Sequence, residues 1–173
     1  MFSKERYVGE LWNQHRDGSI VSRGIKHSGT ARKRRDFCGY VHKMYDAICD
    51  PLMKRDQALA LAIFHAGMLR LVDGAVEFDD FVLTSGLKDE YKSAEQLQLK
   101  VVAKQKARDP GSETKPGDRM SFVYLKGAPN AKACDMAEDA AHARAHGLPP
   151  VSYTHLRAHE TSLHLVCRLL LEK

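Results

Sequence analysis

Lys33-Arg34-Arg35-Asp36-Phe37-Cys38-Gly39-Tyr40-Val41-His42-Lys43-Met44-Tyr45-Asp46-Ala47-Ile48-Cys49-Asp50-Pro51-Leu52-Met53 is the stretch whose reading decides the fold. Phe37, Val41, Met44, Tyr45, Ile48 and Leu52 recur at three- and four-residue steps, which predicts one apolar stripe on a helix from about residue 37 to residue 53. Asp36 stands where an N-cap belongs, because its carboxylate can accept from the free amides of a first turn. Pro51 has no amide hydrogen and is expected to kink or split the helix near its end. A block of cations therefore runs straight into a helix start.

Upstream, Tyr7-Val8-Gly9-Glu10-Leu11-Trp12 has strand composition, Asp17-Gly18 signals a turn, and Ile20-Val21-Ser22 is a second run. Together they predict a β-hairpin with a long loop. Downstream, Asp56 caps a predicted helix over about Gln57 to Val72, with Leu59, Ile63, Ala66 and Leu69 inward and a stop near Asp73-Gly74. Phe81-Val82-Leu83-Thr84 reads as a short strand. Ser93 and Gln96 form a capping box for a helix over about residues 94 to 107. Its outward positions include Lys100, Lys104, Lys106 and Arg108, which could line a phosphate backbone. Met120 to Leu125 reads as another strand, and alanine-rich Ala131 to His146 as a helix stopped by Gly147 and Pro149. The predicted fold class is α+β, predominantly helical: a hairpin followed by a mainly helical unit with short strands.

The 173 residues carry a formal charge of +5, with a pI near 9.0. That balance is moderate for a nucleic-acid binder, so the distribution of charge carries the argument. Arg23, Lys26, Arg32, Lys33, Arg34 and Arg35 form a stretch with no acid until Asp36. A solvated basic loop is the plain alternative. Cys38, Cys49, Cys134 and Cys167 lack C-x-x-C spacing, which argues against zinc and a disulfide framework and makes a reducing compartment the default. Charged Lys4, Glu5 and Arg6 occupy the place where a signal peptide needs an apolar core, and no stretch approaches membrane-spanning length.

From Val151 onward the chain reads as translated sequencing adapter. Val151 to Glu160 and Leu165 to Lys173 match, in one frame, the two constant parts of a transposase-library adapter, with a gap of index length between them. Residues 151–173 are therefore set apart from fold and function reasoning, with no native fold expected. His155, His159, Glu160, His164 and Cys167 would otherwise suggest a zinc site. The adapter reading accounts for all of them, and no metal site is assigned.

Three blocks occur in a fixed order: Lys4-Glu5-Arg6-Tyr7, then Lys33-Arg34-Arg35-Asp36, then Arg108-Asp109-Pro110-Gly111 with Lys115-Pro116-Gly117-Asp118-Arg119. Singly, each is a basic loop or a pair of tight turns. In this order they resemble the end of the palm and the thumb of a family B DNA polymerase of large-DNA-virus type, across about residues 4 to 148. The first block resembles the family's Lys-Lys-Arg-Tyr motif with Glu5 in place of a lysine, which puts one phosphate or base contact in doubt. The second resembles the Arg-Arg-Asp block that opens the thumb, and the third the thumb's most specific motif.

The resemblance implies a palm edge at 1–35 and a truncated thumb at 36–150. It implies binding of primer–template duplex DNA through Lys4, Arg6, Tyr7, Lys33, Arg34, Arg35, Lys104, Arg108, Lys115 and Arg119. Minor-groove acceptors are alike for all correct pairs, so such donors can sense duplex shape without reading sequence. The family's Asp-Thr-Asp turn is absent from the sequence, and Asp79-Asp80 is a weak substitute. The expectation is therefore a portion of a replicative DNA-directed DNA polymerase, a nucleotidyltransferase, that is inactive alone and binds no cofactor itself. Mg2+ is implied only for the parent. Implied partners are the missing palm, fingers and exonuclease domains and a processivity factor. An intracellular setting follows from the resemblance, in a nucleus or a cytoplasmic virus factory. The alternative is a free-standing basic helical DNA-binding or scaffold module.

Overall fold

The computed structural model describes residues 7–28, 37–128 and 130–151. Strands β1 (Tyr7–Gln14) and β2 (Ile20–Ser28) form an antiparallel hairpin. Its loop is shorter than the sequence suggested, because the strands extend beyond the apolar runs and leave only residues 15–19. Asp17 Oδ1 accepts from the Ser19 amide at 3.0 Å and its hydroxyl at 2.7 Å, and Gly18 takes φ +87°. Those bonds hold the Asp17 carboxyl below its ordinary range, the Ser19 hydroxyl contributing most.

Helix α1 (Gly39–Met53) carries the expected stripe from Val41 to Leu52, with Ile48 buried and Val41, Met44, Tyr45 and Leu52 half-buried, while Tyr40 and Cys49, outside that stripe, are buried as well. It begins later than expected, at N-cap Cys38, which makes no side-chain capping bond. The proposed cap, Asp36, lies outside the described residues. Pro51 does not split the helix, since it falls in the last turn and α1 continues to Met53. Three helices end in the same way. After α1 the amides of Asp56 and Arg55 reach the carbonyls of Pro51 and Leu52. After α2 (Gln57–Val72) those of Ala75 and Gly74 reach Arg70 and Leu71, and after α5 (Ala140–Ala145) those of Leu148 and Gly147 reach Ala143 and Arg144. The residue that must turn left-handed is glycine twice, Gly74 (φ +68°) and Gly147 (φ +62°), but Arg55 (φ +59°) at the first terminator. A side chain there is strained by about 1 kcal/mol. Arg55→Gly is expected to raise stability by about 0.5–1 kcal/mol, read as a higher urea midpoint with an unchanged slope.

Asp56 caps α2 as expected, accepting from the Leu59 amide at 3.0 Å. The inward face is corrected. Ala60 and Leu71 are buried and Ile63, Phe64 and Met68 half-buried, while Leu59, Ala66 and Leu69 are exposed. QALALAIFHAGMLRLV is apolar on every side, so its periodicity cannot choose a face. Contact with α1 chooses it. There Gly67 lets Met44 approach, a Cβ at Gly67 being only 3.0 Å from its sulfur, and the Tyr40 hydroxyl donates to the Gly67 carbonyl at 2.6 Å.

A single 3-10 turn (Phe78–Phe81) precedes β3 (Leu83–Gly86), so the strand starts two residues later than expected. Helix α3 (Leu97–Arg108) starts at N-cap Gln96 with no capping bond, and Ser93 instead closes a local turn onto the Glu95 amide at 3.2 Å. Strand β4 (Arg119–Tyr124) is the centre of a sheet ordered β3-β4-β5, antiparallel throughout. The helix expected over Ala131 to His146 is broken into α4 (Ala133–Met136), β5 (Ala137–Asp139) and α5. The free edge of β4 recruits Ala137-Glu138-Asp139 as a third strand against their helix preference, pairing Phe122 with Asp139 and Tyr124 with Ala137. Met120 and Phe122 face the main core with Cys38, Tyr40, Leu71, Phe81 and Val101. Val123 faces a second one with Ala140 and Ala143. The chain is thus mixed α and β, with five helices and two small sheets among the described residues. Helix predominates less than expected. No helix of the described residues is long and apolar enough to cross a membrane.

Candidate nucleic-acid interface

Of the ten residues the sequence marked for DNA, Lys4, Arg6, Lys33, Arg34 and Arg35 lie outside the described residues. Tyr7 is exposed at the start of β1, paired with Ser28. Strand alternation puts Tyr7, Gly9 and Leu11 on one face with their partners Ser28, Lys26 and Gly24. Beyond it the register slips between Leu11 and Trp12, leaving Arg23 as the extra residue of a bulge in which Gly24 takes φ +89°. Ser22 braces that bulge, donating its hydroxyl to Glu10 Oε1 at 2.6 Å and accepting from the Gly24 amide at 3.2 Å. Among the described residues, nothing beyond the glycine and its chain neighbours lies within 4 Å of where a Cβ would stand on Gly9 or Gly24. The face is open, with an exposed phenol and an exposed ammonium. The sequence put Lys26 in a basic stretch but gave no sign that it would stand near Tyr7, because strand register supplies that proximity.

The second patch is the loop between α3 and β4. Here the outward reading of the α3 cations is corrected in part. Val101, Lys104, Gln105 and Arg108 share the face that packs on β5, so the cations turn toward Glu138, which is 7% exposed. Arg108 Nη2 lies 2.8 Å from Glu138 Oε1 and Lys104 Nζ 3.8 Å from its Oε2. Lys104 also donates to the carbonyls of Ala137 (2.7 Å) and Asp135 (3.0 Å), and Lys100 pairs with Asp135 at 3.2 Å. Lys106 alone of the four stays exposed with no ion-pair partner among the described residues. Glu138 was invisible to sequence reasoning because it was assigned to a helix.

Beyond Arg108, the Gly111 amide donates to Glu113 Oε2 at 2.6 Å. Backbone amides, Glu113's own and then that of Gly111, hold this carboxyl below its ordinary range, with the charges of Lys106 and Lys115 adding to the effect. Lys115 is exposed in the Pro116-Gly117 turn, where the Asp118 amide reaches its carbonyl at 3.0 Å. Arg119 Nη2 donates to Thr84 Oγ1 at 2.8 Å across the β3–β4 pair. Among the described residues, Lys106 near the end of α3 and Lys115 in the loop have no ion-pair partner, Arg119 is partly engaged, and Lys104 and Arg108 are the most engaged.

Asp79 and Asp80 do not fit a metal site. Asp79 pairs with Arg144, whose guanidinium also lies 5.2 Å from the Phe78 ring centre, and Asp80 pairs with Lys43 at 2.7 Å. Both carboxylates are taken by cations. Among the described residues no group of three or more His, Cys, Asp or Glu is placed to hold an ion.

The model of the family described as DNA polymerase family B matches residues 1–170. The chain belongs to DNA polymerase family B. Among similar family B proteins are a DNA polymerase of Pyramimonas orientalis virus, 31% identical over 128 residues, and one of Acanthamoeba polyphaga mimivirus, 32% identical over 127. The alignments take in 73% and 72% of this chain but only 10% and 7% of those proteins, so it spans about a tenth or less of their length. The fold matches the family B DNA polymerase of the hyperthermophilic archaeon Pyrobaculum calidifontis with a TM-score of 0.61 at 21% identity, over 88% of this chain and 18% of that one. The family B resemblance read from the three sequence blocks is thereby established.

Proposed function

We propose that the chain is the palm edge and thumb of a replicative DNA-directed DNA polymerase, and that its own task is to hold the primer–template duplex. The observation that carries this reading is the open hairpin face with Tyr7 and Lys26, in a chain of family B. Donors on an exposed strand pair suit a minor groove whose acceptors vary little with sequence, and Lys106 and Lys115 suit backbone phosphates. Lys4, Arg6, Lys33, Arg34 and Arg35 extend the same assignment. In the parent, metal-holding carboxylates of the palm would support attack of a primer 3′-hydroxyl on the α-phosphorus of a deoxynucleoside triphosphate, with pyrophosphate leaving. With Asp79 and Asp80 committed to cations, no such step is routed through this chain, which alone is expected to be inactive. The remaining palm, the fingers, the exonuclease domain and a processivity factor are the partners this reading supplies.

The test is the affinity of the chain for a primer–template duplex against single-stranded DNA of equal length, over a salt series and two unrelated sequences. Duplex preference, indifference to sequence and a log–log salt slope of about 0.9 per phosphate contact are expected. Strong sequence preference would instead point to a free-standing DNA-binding module. A folded sample that binds neither form sinks the proposal.

A further inference from the structure

Three segments meet at one neutral side chain. Gln105 Nε2 donates to Asp139 Oδ1 at 2.7 Å, while its Oε1 accepts from the Thr114 amide at 3.0 Å and hydroxyl at 3.1 Å. Asp139 is itself fixed, since its other oxygen caps α5 by accepting from the His142 amide at 2.9 Å. Gln105 thus ties the loop after α3 to the start of α5. The far end of the same loop is tied to Leu87, whose carbonyl accepts from the Gly117 amide and whose amide donates to the Asp118 carbonyl, each at 2.9 Å. Between the fastenings at Thr114 and Gly117 lie only Lys115 and Pro116, and Lys115 has an exposed side chain with no ion-pair partner among the described residues.

We propose that Gln105 is a positioning residue for Lys115: through Thr114 it sets where the Lys115 ammonium meets a phosphate of the bound duplex. This rests on the duplex-binding assignment above. Gln105 itself touches no DNA. An amide suits the task because one side chain must donate to a carboxylate and accept from an amide and a hydroxyl at once, which neither a glutamate nor a lysine can do at neutral pH. The neighbouring Glu138 cluster holds α3 to β5 by charge, whereas the Gln105 bonds set the loop itself and bring no positive charge that could bind phosphate.

A double-mutant cycle decides it, using the 173-residue chain and a primer–template duplex, with a thermal melt of every variant. Lys115→Ala is expected to weaken binding about fivefold and to flatten the salt slope by about 0.9. Gln105→Ala should weaken binding by a similar factor and flatten the slope equally, and adding Lys115→Ala to it should weaken binding no further. Thr114→Val, which keeps the Gln105–Asp139 bond, should show the same non-additivity on a smaller scale, and Thr114→Ser should restore binding. Should Gln105→Ala not melt cooperatively, the Thr114 pair takes its place in the cycle. Fold-changes that multiply in the double variant, or a folded Gln105→Ala that binds as the unaltered chain does, overturn the positioning role. If Lys115→Ala binds normally, the Lys115 phosphate contact fails first, and the positioning role with it.

Discussion

Met120→Ala is expected to cost about 3 kcal/mol of folding stability, the largest effect of any single truncation considered. Met120 is 2% exposed at the second position of the central strand β4. It packs in the cluster of Cys38, Tyr40, Leu71, Phe81 and Val101, so α1, α2, α3 and the sheet all border it. Removing its three outer heavy atoms forfeits their transfer from water and opens a cavity that the surrounding helices and sheet can only partly close. Urea unfolding monitored by circular dichroism measures it. A loss below about 1 kcal/mol would mean that the site collapses freely and that this cluster does not hold the fold together.

Glu138→Ala should follow, at about 2 kcal/mol. Glu138 Oε1 accepts from Arg108 at 2.8 Å and from the Asp139 amide at 2.8 Å, with Lys104 facing the other oxygen. Truncation leaves two cations half-covered without their counter-charge and one amide without its acceptor. Both cations remain about one-third exposed, so water recovers part of the loss. Glu138→Gln keeps an acceptor and loses the charge, and about half the effect is expected. The same urea titration compares them, and a variant pair indistinguishable from the unaltered chain would assign the cluster no net energy. The correction to Lys104 and Arg108 predicts a further contrast, since their loss should lower stability more than it changes the salt slope of DNA binding.

Much of the fold could be read where a pattern has only one physical solution. Asp17-Gly18 fixes a turn, the stripe from Val41 to Leu52 selects a helix face, and Asp56 caps α2 by its own carboxylate. Sequence reading failed where the decision belonged to a neighbour. The inward face of α2 was set by α1 because every side of α2 is apolar, and Ala137-Glu138-Asp139 became a strand because β4 had an edge to fill. The candidate site divides along the same line. Residue types that bind phosphate were visible as Lys106, Lys115 and Arg119. Lys104 and Arg108 look equally cationic in sequence, and only the pairing of β5 brings Glu138 beneath them.

Strand β4 begins at Arg119, directly after the loop that follows α3, and its next residue, Met120, is already among the most buried of the described residues. The loop consequently has no slack at this end: to shift it by an ångström is to deform a close-packed interior of low compressibility. Under the duplex-holding role proposed above, the shape of this loop is settled beforehand, and the freedom of its residues is lost when the chain folds and not on binding. Such a loop is a rigid template, whose form is fixed by the interior beneath it.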